Sequence, residues 1–405
     1  MNSAHATPFP GLSPQDGGEQ PSAPPERLPG IDRLRGLVIM LMALDHVRDF
    51  FHGDAIRFSP TDLTHTYPAL FLTRFVTHYC APTFVLLAGV SAWLAASRFA
   101  RRRDHAWFLL TRGLFLILLD AYVVSPVWGM QFGRIGLGAL WAIGAGMASL
   151  SALIFLPTAA VLALGLAIVA GHDLLDATHA ADVGALAPFW PLLHERGPLP
   201  FGLNGSVWYP ALPWIGIIAI GYGLGPLFAM EQARRRRLLT LTGISAIALF
   251  IVLRALNRYG DAAPWSVQPA PVMTALSFLN VSKYPPSLLY ALVTLGPALM
   301  LLPQLERLHG RAADVLATFG KSSLFFYVLH LYAAALGGFA LAYARGFDMQ
   351  QIGAFMKTRA APETFGLGLG ATYLVWLALL AALYPLCRWY AGFRRRRRWT
   401  LLTYL

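Results

Sequence analysis

Charged side chains are scarce in this sequence. Only 13% of the 405 residues are Asp, Glu, Lys or Arg, whereas 56% are hydrophobic. A soluble chain of this length could not bury so much apolar surface, so the composition excludes an ordinary soluble enzyme and indicates a polytopic membrane protein in contact with a lipid bilayer. The net charge of +12 comes from basic blocks at the ends of apolar runs, a pattern that encodes membrane orientation rather than nucleic-acid binding.

Cysteine is almost absent. The two cysteines, Cys80 and Cys387, lie far apart and indicate neither a disulfide framework nor a thiolate metal site, and we expect no metal cofactor. The sequence also lacks a Gly-rich nucleotide loop in a strand-to-helix context, so nucleotide-driven transport is disfavoured. No inverted repeat is visible, which removes the simplest argument for a secondary transporter without excluding one.

The two ends of the sequence lack the apolar character of the rest. The first 25 residues are rich in Pro, Gly and Ser and contain no apolar signal-peptide core, so they predict a disordered tail instead of a cleaved signal. We divide the sequence into a cytoplasmic tail (1–28), a transmembrane domain (29–393) and a basic cytoplasmic tail (394–405).

Apolar runs of about 18 residues or more predict an all-α bundle of about ten transmembrane helices. The predicted spans are 34–51, 68–97, 106–128, 136–156, 158–171, 208–229, 238–256, 285–303, 315–343 and 365–391. The second, ninth and tenth are long enough to be tilted or broken.

The basic blocks predict the orientation of this bundle. With ten alternating crossings, residues 98–103, 234–237 and 394–398 all fall on the side of the amino terminus, which makes both termini cytoplasmic. The longer polar loops fall on the opposite side, where they are expected to cap a pocket. These loops are 52–67, 171–206, 257–271 and 345–363.

The first predicted helix carries charge at both ends. Arg35 and His46 are eleven residues apart, close to three full turns, so their side chains leave one face about 16 Å apart along the axis. Ionisable residues inside a bilayer are costly unless they serve a function, which makes Asp45 and His46 functional candidates. For Arg33, Arg48 and Asp49 the alternative is that these charges merely reach the membrane surface from the helix ends.

Other polar residues fall inside later spans. Arg74 and His78 are four residues apart on one face of the second span, and Pro82 is expected to kink this span and free a carbonyl group near His78. Asp120 and His330 are also intramembrane, and each is either functional or a hydrogen-bonding link between helices.

Three further segments combine polar or aromatic residues with a predicted helix start. Lys283 and Tyr284 precede the eighth span on the outer side, and Lys321 opens the ninth span near the cytoplasmic side, about two and a half turns below His330. The aromatic segment 208–214 either marks the membrane interface or stacks on sugars.

Taken in order, these motifs resemble the heparan-α-glucosaminide N-acetyltransferase-like bacterial membrane proteins of the transmembrane acyltransferase group. The resemblance rests on Ile31-Asp32-Arg33-Leu34-Arg35-Gly36, Asp45-His46, Thr77–Phe84 with Leu87-Ala88-Gly89, Pro213–Gly216, Asn280–Pro286, and Phe319-Gly320 through Tyr327 to His330. The arginine-to-histidine spacing of the first helix also resembles a motif of the wider transmembrane acyltransferase group.

The resemblance implies transfer of an acyl group, usually acetyl, from cytoplasmic acyl-coenzyme A to a hydroxyl or amine of an extracytoplasmic glycan. It implies coenzyme A binding by Arg35 and Lys321, because phosphates favour Arg and Lys. His46 and His78 are the candidates for general base or acyl carrier. Asp45 is a candidate for orienting an imidazole. The remaining candidates, assigned to substrate binding, are Arg74, Lys283, Tyr284 and His330.

Two other interpretations stay open. The intramembrane charges also suit a transporter or flippase for an anionic envelope precursor, and the histidines could be structural in a non-catalytic partner of an envelope assembly. The sequence is compatible with a homodimer but does not specify the oligomeric state. The acceptor, the acyl chain and the choice between direct transfer and an acyl-histidine intermediate are not specified by the sequence.

Overall fold

The computed structural model describes residues 28–128, 133–358 and 360–396. The predicted tails 1–28 and 394–405 therefore lie outside the described residues, apart from Leu28 and 394–396. The helices of the first half are α1 (Pro29–Phe51), α2 (Gly53–Arg57), α3 (Pro68–Thr77), α4 (Cys80–Ala95), α5 (Arg102–Leu119), α6 (Ala139–Leu153), α7 (Thr158–Gly171) and α8 (Trp190–Leu193). Those of the second half are α9 (Ala211–Gly223), α10 (Gln232–Leu256), α11 (Pro271–Leu279), α12 (Leu288–Arg307), α13 (Arg311–Lys321), α14 (Ser323–Ala344), α15 (Met349–Thr358) and α16 (Leu369–Arg396).

Eight helical segments of the described chain are long and apolar enough to cross a membrane. They are Pro68–Arg98, Arg102–Trp128, Thr158–Leu175, Ala211–Ala229, Gln232–Leu256, Leu288–Arg307, Ser323–Ala344 and Leu369–Arg394. The helical membrane-type fold thus matches the expectation, whereas α1 and α6, which we predicted as spans, are not among the eight. The helix α1 carries too much charge. The helix α6 has only 15 residues, because β1 occupies the start of its predicted range and the helix ends at Leu153, before the end of that range.

A small sheet departs from the all-α prediction. It contains β1 (Ile135–Leu137), β2 (Gly197–Pro198) and β3 (Gly205–Val207) in the order β1-β3-β2, with β1 parallel and β2 antiparallel to β3. Such short strands, rich in Gly and Pro, have too few residues to show the alternation by which strands are recognised in a sequence.

The predicted span 68–97 is broken into α3 and α4 at His78 and Tyr79. Pro82 has no backbone N–H, so it cannot bond to the carbonyl of His78 four residues earlier. That carbonyl instead accepts a hydrogen bond of 2.8 Å from the Tyr290 hydroxyl of α12. The expected release of a carbonyl near His78 is confirmed, and it attaches α12 to the break.

The other long spans begin or end at identifiable features. The predicted span 315–343 is divided at Ser322 into α13 and α14. The helix α12 begins at Leu288, after Pro285 and Pro286, and the Ser287 side chain caps it by accepting a bond of 3.0 Å from the N–H of Tyr290.

The helices end on two opposite faces. The basic face contains the start of α1, the end of α16 and the segments 96–103, 224–237 and 307–311. There the carboxylate of Glu306 accepts bonds from Arg235 and Arg236, each at 3.1 Å. The loop face contains the sheet and the segments 52–67, 172–210, 257–287 and 345–368.

The helix α1 lies at the centre of the bundle, in contact with α3, α4, α12, α13, α14 and α16. Its closest approach is to α13, where a Cβ atom on Gly36 would overlap the Leu316 carbonyl and one on Gly320 would overlap the Asp32 carbonyl. Small residues allow this backbone contact, which is typical of helix packing in membranes. Of the charged side chains of α1, those of Asp45 and Arg48 are thus enclosed by protein.

Candidate functional site

Two buried histidines from distant parts of the chain meet in the bundle. Nδ1 of His46 in α1 lies 2.9 Å from Nε2 of His330 in α14, and the two rings lie edge to edge, with an angle of 2° between their planes and centroids 5.0 Å apart. His46 is 7% exposed and His330 is fully buried. The sequence predicted both as intramembrane residues but did not pair them.

The backbone determines how the protons are arranged in this pair. Nδ1 of His330 lies 2.7 Å from the carbonyl oxygen of Phe326, which can only accept a hydrogen bond. In the neutral ring Nδ1 of His330 therefore carries the proton, and Nε2 accepts from Nδ1–H of His46. The remaining nitrogen of His46, Nε2, is then unprotonated and able to accept a proton.

Aromatic side chains surround the ring of His46. The indole of Trp128 lies edge-on to it with centroids 5.2 Å apart, and the ring of Tyr327 lies at 6.1 Å. Trp128 in turn contacts Trp208 of the loop face, at 6.4 Å. Through this contact the aromatic group connects His46 to the loop face.

A second cluster lies beside the histidine pair, centred on the carboxylate of Asp45. This carboxylate accepts bonds from Arg74 Nη1 at 2.6 and 2.5 Å and from the Thr77 hydroxyl at 2.5 Å. Arg48 Nη2 lies 2.7 Å from the same group. Asp45 thus pairs with the guanidinium groups of both Arg74 and Arg48, and Arg48 also lies 2.6 Å from Asp49. The imidazole of His46 is held by His330 instead.

Arg48 is a site residue that sequence reasoning missed. Its side chain is 1% exposed, and its Nε and Nη1 atoms have no hydrogen-bond partner among the described residues. The residue was not among the predicted site residues, because a charge near the end of an apolar helix can also reach the membrane surface. The signal that could have identified it is the three-residue spacing from Asp45, which brings opposite charges together on a helix.

His78 lies at the break between α3 and α4. It is 4% exposed, its Nδ1 atom has no hydrogen-bond partner among the described residues, and its ring centroid is 5.4 Å from that of Tyr290. Arg74 connects this break to the Asp45 cluster. The structure thus places His78 beside the site but does not pair it with His46.

Lys283 and Tyr284 lie above these clusters, in the segment between α11 and α12. The ammonium of Lys283 lies 5.2 Å from the ring centre of Tyr284 and 5.8 Å from that of Tyr209, and its charge acts on Asp45. Burial raises the pKa of the Tyr284 hydroxyl, but the charges of Lys283 and Arg74 outweigh this effect and lower it to about 8. Lys283, Tyr284 and Tyr209 thus place one positive charge and two aromatic rings together at the loop face.

The guanidinium of Arg35 lies toward the basic face. Its Nη2 atom donates to the Leu87 carbonyl at 3.2 Å and to the Ser91 hydroxyl, both on α4. Its Nη1 atom is 4.0 Å from Asp32, and the side chain is 24% exposed. Arg35 and His46 are on one continuous helix as predicted, but they contact different neighbours, α4 and α14.

Lys321 is exposed at the end of α13, next to the Gly36 and Gly320 contact. Its carbonyl accepts a bond of 3.3 Å from Arg394 Nη1 at the end of α16. The same end of α16 forms an open groove of about 510 Å³, lined by Tyr384, Pro385, Arg388, Trp389, Gly392 and Arg396. Basic side chains of α1, α13 and α16 are thus brought together at the basic face, far from the histidine pair.

The side chain of Asp120 binds the backbone at the start of α6. Its Oδ2 atom accepts bonds from the backbone N–H groups of Gly138 and Trp141, at 2.7 and 2.8 Å, at the start of α6. A carboxylate at a helix start satisfies otherwise unpaired N–H groups. The structure therefore favours the hydrogen-bonding interpretation of Asp120.

Comparison with known proteins identifies the family. The catalytic model of heparan-α-glucosaminide N-acetyltransferase matches residues 27–259, which is more than half of the chain. No curated protein matches the chain. The matched region contains Asp45, His46 and Arg74, whereas His330 and Lys283 lie beyond it and enter the site through their contacts. The resemblance predicted from the motifs is confirmed, and the chain belongs to the heparan-α-glucosaminide N-acetyltransferase catalytic family, whose members are membrane acetyltransferases.

Proposed function

We propose that this membrane transferase moves an acyl group, acetyl in the first instance, from acyl-coenzyme A to a hydroxyl or amine of an extracytoplasmic glycan. His46 is the general base. The observation that supports this role is the chain of hydrogen bonds from the Phe326 carbonyl through His330 to His46, which leaves Nε2 of His46 unprotonated. A base needs such a nitrogen, and histidine has a suitable intrinsic pKa for the task.

The proposed reaction is a direct acyl transfer. The acceptor oxygen or nitrogen attacks the thioester carbonyl while its proton passes to Nε2 of His46. The C–S bond then breaks, and the coenzyme A thiolate takes the proton from His46. His330 stabilises the imidazolium that forms between these steps by continuing to orient the ring, as a hydrogen-bonded partner does in other histidine bases.

The donor is proposed to bind from the basic face. Arg35 and Lys321 are the groups there that suit coenzyme A phosphates, because charge-assisted bonds to phosphate favour Arg and Lys. Arg35 lies eleven residues before His46 in α1, about 16 Å along the helix axis. The pantetheine arm would bridge this distance and place the thioester near His46.

The acceptor is proposed to bind from the loop face. Arg74, Lys283 and Tyr284 supply polar groups there, and the ring of Tyr209 lies beside them, 5.0 Å from that of Tyr284. Aromatic rings and hydrogen-bonding groups together are suited to binding a sugar, with its apolar faces and hydroxyl edges. The basic face would be cytoplasmic and the membrane the bacterial inner membrane, because basic segments are retained on the cytoplasmic side.

Release of free thiol tests the reaction. Purified protein incubated with acetyl-coenzyme A and an amino-sugar or polysaccharide acceptor should release coenzyme A, detected with a thiol reagent. His46→Ala should lower kcat by about 10²–10⁴-fold, the usual contribution of a general base. The control is His65→Ala, since His65 is an exposed histidine of the loop face. Unchanged turnover in the correctly inserted His46 variant would remove this residue from the mechanism.

Donor binding is tested separately. Arg35→Ala should raise the KM for acetyl-coenzyme A about ten- to a hundredfold with kcat kept, because a charge-assisted bond contributes roughly 1.5–3 kcal/mol. Arg33→Ala is the matched control, since Arg33 lies at the same end of α1 but donates to the Leu305 carbonyl at 2.8 Å. Equal donor affinity in calorimetry for wild type and Arg35→Ala would show that Arg35 only anchors α1.

A further inference from the structure

A cluster of buried histidines that the proposed reaction does not use lies at the loop face. His172 follows α7 directly and His194 follows α8 directly, and they are 3% and 2% exposed. Oδ1 of Asp176 lies 3.2 Å from Nε2 of His194. The potential ligand atoms of His172, Asp176 and His194 all lie within 4.8 Å of one another.

The buried polar atoms of this cluster are not satisfied by hydrogen bonds. Among the described residues, none of the four ring nitrogens of His172 and His194 has a partner in hydrogen-bond geometry, and neither does Oδ1 of Asp173. The carbonyl of Pro286 lies beside His172 but outside that geometry. Unpaired buried polar atoms are rare in folded proteins and call for an explanation such as an ion.

Two of the distances between potential ligand atoms are close to those in a zinc site. Nε2 of His172 lies 3.3 Å from Oδ1 of Asp173, close to the separation between Asp176 and His194. Ligand atoms bound tetrahedrally to zinc at 2.0–2.2 Å are about 3.3–3.6 Å apart. Imidazole nitrogens and carboxylate oxygens are both zinc ligands, and a nearby carbonyl such as that of Pro286 is the usual partner of the second imidazole nitrogen.

The segment around this cluster has a small hydrophobic core. Residues 172–207 contain no cysteine and only short helical turns and strands. The separate hydrophobic core of this region is built on only three buried side chains, Leu137, Leu199 and Val207. Small units with so little core commonly depend on a disulfide or a metal ion.

We propose that His172, Asp176 and His194 bind one divalent transition-metal ion, with Zn²⁺ as the expected ion and Asp173 or water as the fourth ligand. The ion fastens the segment 172–207 to the end of α7. Asp173 also accepts a bond of 3.0 Å from the N–H of Leu288, so the site supports the segment that carries Lys283 and Tyr284. The expectation that the protein binds no metal followed from the scarcity of cysteine, whereas the ligands proposed here are histidine and aspartate.

Metal content is the direct test. Full-length protein without a histidine tag, purified in detergent, is stripped with a chelator, dialysed against micromolar Zn²⁺ and analysed by mass spectrometry of the elements. Wild type should retain one zinc per chain, whereas His172→Gln and His194→Gln should each retain less than a tenth of that. His179→Gln, which changes an exposed histidine of the same segment, should keep full zinc. Wild type without zinc, or equal zinc in all four proteins, would overturn the proposal.

A second measurement covers variants that fold poorly. Zinc should raise the Tm of stripped wild type and protect 172–207 from proteolysis, and Asp176→Asn should weaken zinc binding at least tenfold. Cobalt bound by wild type should give the visible absorption of a four-coordinate site. Equal protection of wild type and Asp176→Asn would show surface binding only and would overturn the proposal. Each of these results is independent of acyl transfer.

Discussion

The ring of His330 lies between a backbone carbonyl and His46, and its contribution to the site depends on this position. Because the carbonyl of Phe326 accepts a hydrogen bond and cannot donate one, it determines which nitrogen of His330 is protonated and, through it, which nitrogen of His46 is protonated. The orientation of His46 is thus set by a group that does not change with pH. His330 is a positioning residue for the proposed base.

We expect His330→Phe to lower kcat about ten- to a hundredfold, the usual cost of losing a group that orients a functional histidine, with an unchanged KM for acetyl-coenzyme A. The phenyl ring fills a similar volume but cannot accept the proton of His46 Nδ1. His330→Gln should recover part of the rate, because its side-chain oxygen can accept that proton. Steady-state kinetics on both variants checks this, and an equal loss in the two would indicate a packing role.

The sequence could predict individual polar residues of the site but not their partners. Asp45 and His46 were identifiable because ionisable groups in an apolar helix are costly. The partner of His46 lies 284 residues away in the chain, and periodicity carries no information on such a contact. Arg48 was missed for the same reason, because its burial depends on the helices around α1.

At the level of helices, one proline determines how α3, α4 and α12 meet. Pro82 removes a hydrogen-bond donor, and the Tyr290 hydroxyl replaces it on the His78 carbonyl. The kink was predictable because Pro82 lies inside an apolar run. The identity of the replacement donor was not, since Tyr290 belongs to a helix more than 200 residues away. Likewise, no proline causes the break at Ser322. The predicted span 315–343 was expected to be tilted or broken only because it is long.

A double-mutant cycle tests this replacement. Tyr290→Phe should destabilise the protein by about 1–3 kcal/mol, because the isosteric change leaves the buried His78 carbonyl without a donor. In the Pro82→Ala background the new N–H of residue 82 can bond that carbonyl. Tyr290→Phe should then cost less by about 0.5 kcal/mol or more, which is the usual size of the coupling between two residues that share a partner, to within a factor of two. Unfolding of both pairs in detergent measures the four free energies, and strictly additive losses would contradict the replacement.

The whole molecule has one face rich in arginine and one face made of longer polar segments. The positions of the basic blocks along the sequence predicted this asymmetry, because blocks at alternate helix ends fall on one side of the membrane. The number of crossings was less predictable. Charge excludes α1 from the eight long apolar segments, although four of these segments pack against it.

Sidedness is checked by cysteine labelling in intact cells and in opened cells. Thr64→Cys and Ala262→Cys should react with a membrane-impermeant reagent from outside, and Arg102→Cys and Arg234→Cys only after opening. Ala262 is chosen instead of its neighbour Asp261, because the carboxylate of Asp261 accepts a bond of 2.7 Å from the N–H of Ser282. The native cysteines Cys80 and Cys387 are buried and give little background. Labelling of the arginine positions in intact cells would reverse the proposed orientation.

The hydrogen-bonded chain through the two histidines ends on the Phe326 carbonyl, which neither stores nor releases a proton. A proton accepted by His46 can reach His330 but can go no further, so it has to return and leave with the coenzyme A thiolate. The chain of hydrogen bonds is therefore no proton wire. Each turnover exchanges the acyl group for the hydrogen of the acceptor between neutral groups, so it moves no net charge across the membrane. In vesicles, the rate should be the same with the proton-motive force imposed or dissipated by an ionophore, provided that the pH on both sides stays constant.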